Sequence, residues 1–234
     1  MSIQPIAKIL SFPIMSEIAP KSYKFTGSEL SSSKRYVLPK ILGILDSLDL
    51  AADKKKVFDI GCGNGSTLDI LAARGFEVAG VDPSTDGVDI ANEAYPHLKI
   101  ETGSAYDDLA ARYGEYPTII SLEVIEHLYN PRQLIKSANA MLAKNGNLIL
   151  STPYHGYWKN LALAITGKLD NHFTVLSDDM HIKFFSRRTL QIMLEEFGFR
   201  MVGFWRVGRI PPFAGSMIVH AKKTDENESS RSDG

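Results

Sequence analysis

The chain has 234 residues, 44% of them apolar and 23% charged, which is enough to bury the core of one generous domain. Lys plus Arg number 26 against 27 for Asp plus Glu, a balance that carries no electrostatic footprint for nucleic acid. Cys62 is the only cysteine, which excludes an intramolecular disulfide, and no apolar stretch reaches the length needed to span a bilayer.

The first fifteen residues are mildly apolar, but Pro5 and Pro13 interrupt them and no small-residue cleavage site follows. No signal peptide is expected there, and the expected location is cytoplasmic. A helix is predicted over Glu29–Leu48, inside an N-terminal helical cap of residues 1–55. From residue 56, short β-branched runs alternate with helical stretches. Lys56–Ile60 reads as a strand ending in a glycine-rich turn, and Ser66–Arg74 as a helix with Leu68, Leu71 and Ala72 at helical spacing. Glu77–Val81 is a second strand ending at Asp82, followed by a helix from Thr85 to Tyr95 and a short strand near Leu98–Glu101. Thr118–Leu122 and Asn147–Ser151 read as buried strands with a helix over Pro131–Leu142 between them. Ser186–Phe197 is a predicted helix with Ser186 as N-cap and Gly198 as stop. Met201–Val207 and Met217–Ala221 then form a hairpin-like pair of strands.

This alternation predicts an α/β fold. Its sheet is Rossmann-like, seven-stranded and mostly parallel, with one antiparallel strand. The α/β domain is expected over 56–223, carrying an insertion at 154–185. That insertion and the N-terminal cap are expected to cover the carboxyl edge of the sheet, where ligands of open α/β sheets bind. Residues 224–234 are polar and low in complexity, and a disordered tail is expected.

Gly61, Gly63 and Gly65 follow the first strand directly and let backbone approach a ligand closely. A dinucleotide fingerprint wants a third glycine where Ser66 stands. Asp59, just ahead of the loop, would repel a pyrophosphate but attract an ammonium, directly or through water. Asp82 ends the second strand 23 positions after Asp59, where an acid accepts hydrogen bonds from both ribose hydroxyls. The alternative for Asp82 is a turn former before Pro83.

Four segments, Asp59–Gly65, Gly80-Val81-Asp82, Gly103-Ser104-Ala105-Tyr106-Asp107 and Ser121–Leu128, together resemble class I S-adenosylmethionine-dependent methyltransferases over roughly residues 35–222. The pattern is closest to the ubiquinone-biosynthesis O-methyltransferase type. The resemblance implies that the loop Gly61, Cys62, Gly63, Asn64 and Gly65 contacts the methionyl part of the donor, with Asp82 and Pro83 at the ribose. It places Ser104, Ala105 and Tyr106 beside the adenine, with Asp107 a candidate for its amino group. Leu122 and Glu123 would pass under the sulfonium. Within Lys34-Arg35-Tyr36 it sets a basic residue, Arg35, against the donor's carboxylate; a solvated charge pair is the alternative.

The stretch Glu123-Val124-Ile125-Glu126-His127 is similar to that of ubiquinone-type and of small-RNA 2′-O-methyltransferases. Both associate it with a divalent metal such as Mg²⁺, which implies Glu123, Glu126 and His127 as ligands and His181 as a further one. The same pattern recurs in metal-free relatives, where the histidine orders a loop or faces the substrate. An oxygen acceptor must lose its proton, and His127, then His155, then His181 are candidate bases. Tyr154, Trp158 and His181 are candidate walls of an acceptor pocket in the insertion. The expected function is methyl transfer to a hydroxyl of a small aromatic or quinol-like molecule. Small-molecule N-methylation, RNA 2′-O-methylation and a non-catalytic donor-binding protein remain as alternatives.

Overall fold

The computed structural model describes residues 25, 27–173 and 180–224. The stretch with Pro5 and Pro13, and all of the expected tail beyond Thr224, lie outside the described residues. Among the described residues no helix is long and apolar enough to cross a membrane.

Seven strands form one sheet in the order β3-β2-β1-β4-β5-β7-β6. They are β1 (Lys56–Ile60), β2 (Glu77–Asp82), β3 (Lys99–Thr102), β4 (Tyr116–Leu122), β5 (Leu142–Pro153), β6 (Phe199–Val207) and β7 (Ser216–Lys223). β1 to β5 pair in parallel, and β7 runs antiparallel to both β5 and β6. The predicted fold class is the observed one. β5 is longer than its apolar run suggests because Leu142 pairs with Tyr116 of β4 at its start and β7 pairs with it as far as Pro153↔Ser216 at its end.

Successive side chains of a strand point to opposite faces, so the sheet builds two cores. Phe58, Ile60, Ile119 and Leu148 face one side, against Leu134 and Ala138 of α5 (Pro131–Met141) and Leu190 of α8 (Arg187–Glu195). Val57, Ile120 and Ile149 face the other. There they meet Leu68 of α2 (Ser66–Ala73), Val88 of α3 (Thr85–Ala94) and Ile41 of α1 (Ser32–Ser47). Each fully buried aliphatic chain contributes about 1.5–3 kcal/mol.

α1 starts three residues later than predicted. Ser31 caps it, its hydroxyl accepting from the Lys34 N–H at 3.4 Å. Residues 27–30 are drawn away instead, because the Asn64 amide donates to the carbonyls of Gly27 (2.6 Å) and Glu29 (2.8 Å). α4 (Leu109–Tyr113) was not anticipated; it is a single turn capped by Asp108, too short for periodicity to register. The insertion folds as α6 (Tyr157–Ile165) and α7 (Leu169–Phe173).

Candidate functional site

The carboxyl ends of β1, β2, β4 and β5 open into a cleft of about 1090 Å³, walled further by α1, α6 and the turn 208–215. Single ligand pockets run from roughly 300 to 1,000 Å³, so this one has room for a donor and an acceptor together.

The donor half is built on the glycine loop. Gly61 (φ 91°) and Gly63 (φ 60°) take backbone conformations that other residues resist. A Cβ on Gly63 would stand 2.7 Å from the ring of Phe25, which also lines the cleft. The Gly61 and Cys62 N–H groups donate to the Val81 carbonyl at 2.8 and 3.0 Å, tying loop to strand. Asp82 accepts from the Gly63 N–H (2.7 Å) and the Ser84 N–H (2.9 Å), and Pro83 lies beside it in the wall. Burial raises the Asp82 carboxyl while those two hydrogen bonds oppose the shift. Asp59 is completely buried, and neither of its oxygens has a hydrogen-bond partner. Burial pushes it up to about 7, against the attraction of Lys34. It stands behind the loop rather than in the cleft wall, so its influence on a ligand is through field or water.

Lys34 is the residue the sequence reading passed over. It is buried, its ammonium lies 3.4 Å from the Cys62 carbonyl, and it lowers the carboxyls of Asp59, Asp82 and Glu123 together. Arg35, the named candidate, lies at the surface and pairs with Glu29 at 2.9 Å. Helical phase decides between neighbours: Lys34 shares the face of Val37, Leu38 and Ile41, and Arg35 is turned about 100° away. That periodicity was the signal available.

Ser104, Ala105 and Tyr106 lie in the loop after β3 and are not part of the cleft wall. Asp107 accepts from the Ser104 N–H at 2.8 Å, Ala105 is packed into the core, and the Tyr106 hydroxyl accepts from the Asn130 N–H at 3.1 Å. Leu122 and Glu123 do line the cleft. Glu123 sits at φ 58°, a strained conformation for a side chain of its size. The hydroxyls of Ser151 (2.8 Å) and Ser216 (3.1 Å) donate to its two oxygens. The Tyr36 hydroxyl reaches Ser216 at 3.1 Å.

That grip holds Glu123 apart from the other expected metal ligands. Glu126 and His127 lie in a tight turn, Ile125–His127, and His181 joins them in place of Glu123. One Glu126 oxygen is 4.0 Å from His127 Nε2 and 3.9 Å from His181 Nε2. The Ile182 and Lys183 N–H groups donate to the Glu126 carbonyl at 2.9 and 3.0 Å, which clamps the later segment over the turn. Glu126 is buried with no hydrogen bond of good geometry to either oxygen; burial and the nearby Glu123 raise its carboxyl well above the usual range, and a weak contact with the Thr152 hydroxyl opposes them. Burial beside His127 lowers His181 to about 4.

The rest of the cleft is walled by Lys159, Ala162 and Leu163 of α6, by His155, His172 and His181, and by Arg209 and Phe213. The phase of α6 places Trp158 outward and 66% exposed, outside the wall, where the expectation had it inside. Tyr154 packs against the core and the Arg206 guanidinium instead and does not line the cleft; its carbonyl accepts from Lys159 at 2.9 Å. His155 stacks on Phe173 and meets Phe184 edge-on, and burial and Lys159 lower it to about 4.

Comparison with known proteins gives the family. A family described as "Methyltransferase domain" is matched over residues 33–203. The chain is 33% identical over 114 residues to a ubiquinone biosynthesis O-methyltransferase of Bradyrhizobium diazoefficiens, covering 48% of this chain and 45% of that protein. It is 36% identical over 102 residues to the mitochondrial one of Arabidopsis thaliana, covering 42% and 32%. The chain thus spans less than half the length of these two curated relatives. The fold matches that of magnesium protoporphyrin IX methyltransferase from Synechocystis PCC 6803 with bound SAH. The TM-score is 0.61 at 22% identity, over 80% of this chain and 82% of that one.

Proposed function

Because the chain belongs to this methyltransferase-domain family, with S-adenosylmethionine as its methyl donor, we propose that it methylates a hydroxyl of a small aromatic or quinol-like molecule. The observation that carries the reading is the set of groups lining one cleft. The glycine loop, Asp82 and Lys34 line the same cavity as His127, His181 and the aromatic side chain of Phe213. The resemblance to ubiquinone-type enzymes supports the choice of oxygen.

In this reading Asp82 takes the ribose hydroxyls and Lys34 the methionyl carboxylate. Glu123, fixed by Ser151 and Ser216, sets the floor under the sulfonium. The sulfonium is already a strong electrophile, so the chain's work is alignment and exclusion of water. The acceptor oxygen attacks the methyl carbon, an O–C bond forms and the C–S bond breaks, and S-adenosylhomocysteine leaves as a neutral thioether. The hydroxyl proton passes to the imidazole of His127. Helix α1 and the insertion 154–185 serve as caps on the α/β domain.

A second reading is favoured by the unpartnered, buried carboxylate of Glu126 beside two imidazoles. One carboxylate and two neutral imidazoles suit a divalent cation, and Glu126, His127 and His181 would hold it. Such an ion would lower the pKa of a bound hydroxyl and so ease loss of its proton. The two readings compete for the same nitrogen of His127. Turnover with catechol-type acceptors, measured for wild type and His127→Ala with and without chelator, tests both. A drop of about 10²–10⁴ in kcat at unchanged donor affinity is expected for the variant. Chelator sensitivity selects the cation reading; activity unchanged by both treatments refutes base and cation alike.

A further inference from the structure

The far half of the cleft holds two cations, Lys159 and Arg209, with no salt bridge to a carboxylate among the described residues; Glu123 acts on Lys159 only through its field. Lys159 projects from α6, and its ammonium bonds the Tyr154 carbonyl at 2.9 Å, leaving its other donors for a ligand. Arg209 comes from the other side, on the turn between β6 and β7, which is closed by the Gly215 N–H to Val207 carbonyl bond at 2.9 Å. Neither forms a salt bridge to a carboxylate among the described residues. Among the described residues of the wall, Asp82 and Glu123 are the only carboxylates. Asp82 is engaged by backbone N–H groups at the donor end, and Glu123 by two serine hydroxyls.

Burial and then the nearby Arg209 guanidinium disfavour the charged form of Lys159, and the weaker attraction of Glu123 does not offset them. His155 and His172 in the same wall are held below the ordinary imidazole range by burial first and then by Lys159. They are therefore neutral at pH 7, and the positive charge of this wall resides on Lys159 and Arg209. Two like charges facing one partly desolvated space repel each other, and an anion placed between them removes the cost.

We infer that the acceptor is an anion: an aromatic hydroxy acid whose carboxylate is held by Lys159 and Arg209. This rests on the proposed hydroxyl methylation and narrows its substrate class. A guanidinium fork matches a planar carboxylate, and the imidazole faces and Phe213 supply a flat wall for the ring that carries it. The hydroxyl then lies on the side of His127, and the carboxylate away from the donor.

Calorimetry on the full chain, saturated with S-adenosylhomocysteine, tests this without turnover. The probes are protocatechuate and its neutral carboxamide. Wild type should bind the acid about 10-fold to 100-fold more tightly than the amide, the range expected for charge-assisted hydrogen bonds. In Lys159→Met and in Arg209→Met that ratio should fall towards one, and the Kd for S-adenosylhomocysteine serves as the control for folding. Equal binding of both probes, binding of neither, or an acid preference that survives both substitutions overturns the inference. So does displacement of the acid by a short 3′-terminal RNA that itself becomes methylated. Tight acid binding with no methyl transfer on adding donor would instead sink the hydroxyl-methylation reading and leave the anion site standing.

Discussion

Replacing Asp59 by asparagine keeps the shape of the side chain and removes its titration. In the folded chain this carboxyl is pushed from 3.8 to about 7 by burial. Between those values the native state binds a proton that the unfolded chain has released. The wild type therefore has its full stability below pH 3.8, loses it as pH rises towards 7, and is flat above. A shift of about three units corresponds to about 4 kcal/mol lost by pH 8, at 1.36 kcal/mol per unit. The asparagine avoids this charge but still buries an amide without partners, at roughly 1–3 kcal/mol. Asp59→Asn should therefore be more stable than wild type by about 1–3 kcal/mol at pH 8, and no more stable than wild type at pH 3.5. For a chain of this size that is roughly 2–12 °C in Tm at the alkaline end. Thermal unfolding of the donor-free protein across this pH range reads the effect as a crossing of the two curves. Parallel curves would refute the assignment of a buried, unpartnered carboxylate. The same variant should bind donor more weakly, because the field on the methionyl ammonium is gone.

Further outcomes follow from the same geometry. Asp82→Ala should abolish measurable donor binding by calorimetry, and wild-type affinity would refute the ribose role. Lys34→Met should weaken donor binding about tenfold, whereas Arg35→Met, which loses only a surface pair with Glu29, should change stability by less than about 0.5 kcal/mol and leave donor affinity alone. Trp158→Ala should leave the acceptor KM unchanged, since the ring lies outside the wall; a several-fold rise would show that α6 turns when an acceptor binds.

Local chemistry made much of the donor end legible from the chain alone. Glycines at 61 and 63, at positive φ directly after β1, with Asp82 at the end of the adjacent β2, follow from strand order and turn chemistry. The central strands were legible too, because they bury short, mainly apolar runs, as Thr118–Leu122 does in β4, whereas the edge strands β3 and β6 are only partly buried. Helix starts were less so: α1 begins at Ser32 rather than Glu29 because Asn64, 35 residues on, claims the Glu29 carbonyl.

Long-range packing decided the rest. His181 meets Glu126 only because two backbone N–H groups from the insertion close on one carbonyl, and no local pattern encodes that. Glu123 leaves that group because serines from β5 and β7 hold it. Lys34 over Arg35, and Lys159 over Trp158, turn on about 100° of helical phase that only the facing surface selects. Strand ends and tight turns are settled by neighbours in the chain, so the glycine loop and Asp82 could be placed from the sequence. The opposite wall of the cleft is shared among α6, the segment at His181 and the β6–β7 turn, and only the folded chain brings those three together.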